Sequence, residues 1–287
     1  MSKIETMRLT PAIGAEIAGV DLSRPPCDAV CDALYALLMD HQVIFLRDQR
    51  MDPATQMALA EDFGEPEPPH PVYPHLEGYP SIMVLDFGGD VVPDTDVWHT
   101  DVTYRGSPPF ASILRGHRVP AVGGDTLWLS MTAAHDGLPD GLRSDLTGLR
   151  CVHDLGDFRN SFTQGVPDGP ATALAEAHAR MGCAIHPLVR THPVTGRDFL
   201  FCNPGFTIHV EGLTASDSRS LLNHLFDHIV RPEYQVRFRW TPGAVAIWDN
   251  RCTMHYPLGD YAPERRIMHR ITVTRDRRLD GPEPGDR

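Results

Sequence analysis

Residues Val97–Tyr104 read V-W-H-T-D-V-T-Y. Valine, threonine and aromatic residues favour a strand, and in an extended chain residues two apart share a face. A strand here would set the His99 imidazole beside the Asp101 carboxylate. Such a pair is either two-thirds of a metal site or two polar residues on a wet strand. The choice bears on the fold, because a third ligand has to come from a neighbouring strand of a closed or doubled sheet. The triplet cannot decide alone: His75-Leu76-Glu77 matches as well by residue type, and the chain has 15 histidines.

A third ligand is available in Ala244–Pro257, A-V-A-I-W-D-N-R-C-T-M-H-Y-P. An apolar strand ends in a turn and His255 follows. Two histidines and one carboxylate with open positions suit non-haem Fe(II), and zinc hydrolases use the same donors tetrahedrally. Further on, R-R-I-M-H-R-I-T-V-T reads as a strand with Arg266, Met268, Arg270 and Thr272 on one face. Two arginines inside a barrel are costly unless they meet anions. Four residues of strand separate them by roughly 13 Å, too far to clamp one small diacid, so one anionic ligand per arginine is the economical reading. The alternative is an edge strand with solvated arginines.

The rest of the chain alternates short strands with turns. Helices are predicted at Asp28–His41, Pro53–Phe63 and Thr214–Val230, from apolar residues at helical spacing. Strands are predicted at Gln42–Leu46, Ser81–Phe87, Ala111–Arg118, Thr126–Ser130, Ala184–Thr191, Phe199–Asn203, Val236–Trp240, Ala244–Asp249 and Arg266–Arg275, bounded by Gly, Pro, Asn and Asp. The fold class is therefore mainly β with α: a jelly roll, or double-stranded β-helix, with flanking helices. Regular strand–helix alternation, a G-x-G-x-x-G and a P-loop are absent. We read one domain over 1–276 and a disordered, charge-rich tail over 277–287.

Bulk composition narrows the partners. A 287-residue chain of net charge −12, with scattered Lys and Arg, is a poor match for nucleic acid or anionic membranes. The sequence has neither a signal-peptide pattern nor an apolar run of about 18 residues. Six cysteines without a C-x-x-C fit reduced thiols in a cytoplasmic protein.

Several segments, in order, resemble the Fe(II)/2-oxoglutarate dioxygenases of the taurine dioxygenase group. They are I-G-A-E-I-A-G-V-D-L (Ile13–Leu22), H-P-V-Y-P-H (His70–His75), W-H-T-D-V-T-Y, G-G-D-T-L-W (Gly123–Trp128), R-T-H-P-V-T-G (Arg190–Gly196), Tyr234–Arg239, W-D-N-R-x-T-x-H-Y (Trp248–Tyr256) and R-R-I-M-H-R (Arg265–Arg270). The resemblance implies Fe(II) held by His99, Asp101 and His255. It implies 2-oxoglutarate as co-substrate with O2, its distal carboxylate on Arg266 and Thr126. A sulfonate substrate would rest on Arg270, His70 and the Val102 amide, with Tyr73 and Thr95 at the amine end and Phe162 and Phe206 lining the pocket. It also implies a homodimer or tetramer. The products from taurine would be sulfite and aminoacetaldehyde, with succinate and CO2.

Two departures bear on the substrate. Thr95 stands where the family carries an asparagine, and His153–Phe162 carries three extra residues, 155–157, within the family's H-D-F-R-x-S-F run. The alternatives are another alkylsulfonate, a sulfate ester or a small carboxylate, and beyond these a non-catalytic barrel that binds a metal or anion.

Overall fold

The computed structural model describes residues 3–70, 73–89, 97–155 and 182–279; Thr95, Phe162 and the insertion at 156–157 lie outside them. The runs V-I-F-L (Val43–Leu46) and V-A-I-W (Val245–Trp248) are apolar throughout rather than alternating, as expected for strands covered on both faces. They pair antiparallel, with Phe45 opposite Ala246. Val43, Phe45, Ala246 and Trp248 face one cluster, shared with Trp128, Val236, Phe238 and Met268. Ile44, Leu46, Val245 and Ile247 face another, closed by Leu34, Leu38, Leu59 and Phe63 from two helices.

Those strands belong to a nine-stranded sheet. Its order is Glu5–Arg8, Ala15–Ala18, Val43–Leu46, Val245–Asp249, Ala111–Arg118, Arg266–Asp276, Tyr79–Phe87 and His75–Leu76, with Gly64–Pro66 added against Arg266–Asp276. A smaller sheet, Gln235–Phe238, Thr126–Ser130 and Thr253–Pro257, contributes Trp128, Val236 and Phe238 to the cluster between the sheets. The core is thus the expected jelly roll. Outside the small sheet, the Ala215–Ile229 helix packs Leu222, Leu225 and Ile229 against Leu129 and Met254.

Local chemistry sets the element ends. The Asp28–His41 helix stops where Gln42 turns left-handed, φ 65°, with its N–H on the Leu38 carbonyl, so the next strand begins at Val43. Asp52 caps Pro53–Phe63 by accepting from the Thr55 N–H at 2.7 Å, with proline at N1. Thr214 accepts from the Asp217 N–H, and Asp217 takes the Thr214 hydroxyl proton at 2.8 Å. The predicted Ala184–Thr191 strand divides at Leu188.

Three expectations are corrected. Val97–Tyr104 is not a strand: His99 makes a single bridge to His255, and 101–104 is a turn with Val102 at φ 44°. The strand Val245–Asp249 does end in a turn before His255, but His255 then lies within a further strand, Thr253–Pro257, that was not expected. The tail begins with tied residues: the Arg277 N–H donates to the Phe63 carbonyl and Arg278 pairs with Asp62 and Asp32. Among the described residues, no helix is long and apolar enough to cross a membrane.

Candidate metal centre and its cavity

The small sheet positions His255, whose backbone exchanges hydrogen bonds with His99 at 3.1 and 2.8 Å. The turn that follows His99 folds Asp101 back toward the pair. A β-branched residue at positive φ is strained by about 1–3 kcal/mol, so Val102 needs support from beneath. The Thr103 hydroxyl meets His153 Nδ1 at 2.9 Å and accepts from Asn203 Nδ2 at 3.1 Å. His186 Nε2 lies 2.9 and 3.0 Å from the Thr103 and Arg105 carbonyls; only a protonated nitrogen can serve both, which fixes the tautomer.

Asp101 Oδ1 lies 3.8 Å from His99 Nε2 and 3.7 Å from His255 Nε2, all three residues being buried. These gaps exceed a hydrogen bond, yet an ion with ligand bonds of about 2.1 Å bridges them. The protonation states also fit. His99 Nδ1 is 2.7 Å from the Val97 carbonyl, so it carries the proton and Nε2 keeps its lone pair. Burial, helped by His99 and Arg270 and opposed by Asp101, pushes the His255 imidazole well below its usual range. Burial raises the Asp101 carboxyl, but Arg270, then His255 and His99, outweigh that and hold it at about 2. Two imidazoles that turn Nε2 toward an ionised carboxylate are a divalent-metal donor set.

The second oxygen of Asp101 is held from behind. Arg270 Nη2 donates to it in a short contact, and the Ser112 hydroxyl donates at 3.3 Å. Ser112 in turn accepts from Asn250 Nδ2 at 3.1 Å, and Asn250 Oδ1 accepts from Trp248 Nε1–H at 2.8 Å. Trp248, Asn250, Ser112 and Asp101 thus form one buried relay that leaves Oδ1 facing the histidines. This corrects the reading of two arginines that both await outside anions: Arg270 has one within the fold.

Arg266 does not. It is 5% exposed, and its Nη2 donates to Thr126 Oγ1 at 3.2 Å. Burial pushes its guanidinium down to about 10. The predicted strand face holds: Arg266, Arg270 and Thr272 line one cavity with His99, Asp101, Val102, Thr126, His255 and Phe206. His70 and Tyr73 reach the same cavity, and burial, then Arg270 and Arg105, push His70 down to about 4. His75, whose triplet matched as well by residue type, lies in a two-residue strand with Nε2 3.1 Å from the His70 carbonyl.

Among the described residues a second cluster, His192, Asp249 and Cys252, has metal-like spacing. It is satisfied internally. His192 Nε2–H donates to Asp249 at 3.0 Å, and its Nδ1 accepts from the Val194 and Thr195 N–H groups. Arg251 bonds the same carboxylate. Neither nitrogen has a lone pair to offer a metal.

Residue-type reasoning missed Ser112, Asn250, Glu67, His153, His186, Asn203 and Tyr261. Asn250 and His153 stand inside quoted runs; the others carry no local signal and are found through contacts.

The family model described as taurine catabolism dioxygenase TauD, TfdA family matches residues 5–272. The chain is 39% identical over 267 residues to an alpha-ketoglutarate-dependent sulfate ester dioxygenase of Pseudomonas putida, covering 91% of this chain and 86% of that one. It is 35% identical over 273 residues to an alkylsulfatase of Acinetobacter baylyi, covering 94% and 85%. Among solved structures, one titled a putative alpha-ketoglutarate-dependent taurine dioxygenase from Burkholderia xenovorans superposes with a TM-score of 0.82 at 35% identity, over 96% and 93% of the two chains.

Proposed function

This chain belongs to the TauD, TfdA family of taurine catabolism dioxygenases and is a 2-oxoglutarate-dependent dioxygenase that uses Fe(II) and O2, and from that we propose that it hydroxylates the carbon bearing an organic sulfur oxyanion. The hydroxylated product then breaks down to an aldehyde, with sulfite from a sulfonate or sulfate from a sulfate ester. Taurine is the sulfonate expected from the sequence. The observation that carries the proposal is one cavity lined by a buried His99–Asp101–His255 donor set and two arginines four residues apart on one strand.

In this reading His99, Asp101 and His255 would hold the metal, and Ser112 and Arg270 keep Asp101 turned toward it. Arg266 and the Thr126 hydroxyl bind the distal carboxylate of 2-oxoglutarate. Fe(II), when bound with 2-oxoglutarate and O2, supplies the oxidising power for a C–H bond. The chain's remaining task is placement. Arg270, His70 and the strained Val102 amide receive the sulfur oxyanion, while Phe206, Tyr104 and Trp248 exclude water and aim the adjacent carbon.

One observation favours an apolar alkyl sulfate or sulfonate over taurine. Among the described residues lining the cavity the acids are Glu67 and Asp101, and both are ion-paired, with Arg105 and Arg270. Met83, Leu85, Phe87, Leu114 and Phe206 make the other walls apolar. An ammonium group finds little there, whereas an alkyl chain buries its surface.

The test is an assay of Fe(II)-loaded protein with 2-oxoglutarate, O2 and, separately, taurine, pentanesulfonate and hexyl sulfate. Succinate should form together with sulfite or sulfate, and faster with the alkyl compounds than with taurine. Absence of both sulfur anions with all three would refute the organosulfur reading.

A further inference from the structure

The Arg266 end of the cavity holds more hydrogen-bond donors than its described protein acceptors can use. Thr126 Oγ1 accepts from Trp240 Nε1–H at 3.0 Å and from Arg266 Nη2–H at 3.2 Å. A hydroxyl oxygen has two lone pairs, so both are taken and its own proton must point elsewhere. Arg266 Nε is buried with no partner, and the Tyr261 hydroxyl, on a residue 4% exposed, is buried beside the same guanidinium; a guanidinium only donates, so the phenol's own proton has no acceptor there. Buried polar groups without partners are rare in folded proteins and call for a ligand or water.

Tyr261 is firmly placed. The Asp260 carboxylate accepts from the Gly124 N–H at 2.8 Å, which fixes the loop just before it. Gly124 is at φ 69°, and a Cβ there would come within 3.2 Å of both Arg266 Cδ and Tyr261 Cδ1. The tyrosine ring and the arginine stem therefore pack together over a glycine that makes room for them, and both line the cavity.

We propose that Tyr261 is a further binding residue for the co-substrate, its hydroxyl donating to the distal carboxylate of 2-oxoglutarate beside Arg266 and Thr126. This rests on the dioxygenase reading above. A carboxylate offers about four acceptor positions; the Arg266 fork fills two, Thr126 one and Tyr261 the last. Trp240 acts as a positioning residue, because its N–H turns the Thr126 proton toward the ligand. The phenol makes the site selective for dicarboxylic 2-oxo acids, since a ligand without the distal carboxylate leaves four buried donors unmatched.

The test uses Tyr261→Phe in the full chain, loaded with Mn(II) without O2 and titrated by calorimetry. The ligands are 2-oxoglutarate and 2-oxopentanoate, which has the same length but no distal carboxylate. The Kd for 2-oxoglutarate should rise about tenfold, or about 1.4 kcal/mol, while that for 2-oxopentanoate stays unchanged. Without ligand the variant should melt at or above the wild type, because an unmatched buried hydroxyl is gone. An unchanged Kd for 2-oxoglutarate, or equal losses for both ligands, would overturn the role of the hydroxyl. Wild-type protein that binds no 2-oxoglutarate would instead overturn the dioxygenase reading itself.

Discussion

Replacing Arg266 with leucine should stabilise the ligand-free protein while removing its response to 2-oxoglutarate. The guanidinium is buried and has no carboxylate within hydrogen-bond reach among the described residues. Its proton affinity falls from 12.5 to about 10, chiefly through burial; at about 1.4 kcal/mol for each tenfold change, that is about 3 kcal/mol. The sign follows from a base whose folded value is depressed: the penalty is present in full below the folded value and fades as pH rises toward the unfolded one. At neutral pH, leucine recovers it. Against this stand the lost Thr126 hydrogen bond and the cation–π contact with Trp240 at 5.7 Å, together about 1–2 kcal/mol. The net is a gain of about 1–2 kcal/mol, or roughly 2–3 °C in Tm for a chain of this size. Thermal melts with Mn(II), with and without 2-oxoglutarate, read both effects. Wild type should rise on adding the ligand and Arg266→Leu should not. A variant that melts lower than wild type and still gains from 2-oxoglutarate would refute the reasoning.

Arg270→Ala also takes a donor from Asp101, so it is assayed at saturating metal; there it should raise the KM for alkyl sulfate or sulfonate roughly 30-fold or more and leave the Kd for 2-oxoglutarate much less affected, and equal losses of both ligands would contradict separate duties for the two arginines. Ser112→Ala removes one of two donors from Asp101 Oδ2 and should weaken Mn(II) binding about tenfold in calorimetry, with unchanged affinity counting against the relay. Burial, assisted by His186 and Arg190, holds His153 well below 6.5. The unfolded chain therefore takes up a proton that the fold refuses, and stability declines as pH drops below 6.5, by up to about 1.4 kcal/mol per pH unit. Urea titrations of His153→Gln should show a shallower decline, and an unaltered slope would mean that the buried imidazole is not neutral.

What could be read from sequence depended on where the deciding forces act. Asp28–His41, Pro53–Phe63, Ala111–Arg118 and Thr126–Ser130 are found with the bounds their periodicity predicts, because one face of each must be apolar. Thr253–Pro257 was hidden: T-M-H-Y-P follows D-N-R-C and ends in proline, so it looks like a turn until Thr126–Ser130 pairs with it. The convergence of His99, Asp101 and His255 was legible, but its cause was not. A strand's alternation does not bring His99 and Asp101 together. A bridge and a strained turn at Val102 do, supported by His186, His153 and Asn203 far along the chain. Likewise no local pattern announces that Arg270 reaches Asp101 across 169 residues, or that Tyr261 shares a cavity end with Arg266.

The most direct measurement is a crystal grown without O2 and soaked with Mn(II), with anomalous diffraction recorded near the manganese edge. One strong peak should lie within bonding distance of His99 Nε2, His255 Nε2 and a single oxygen of Asp101. A peak at His192, Asp249 and Cys252 instead, or none at the His99 cluster with Mn(II) in excess, would contradict the account.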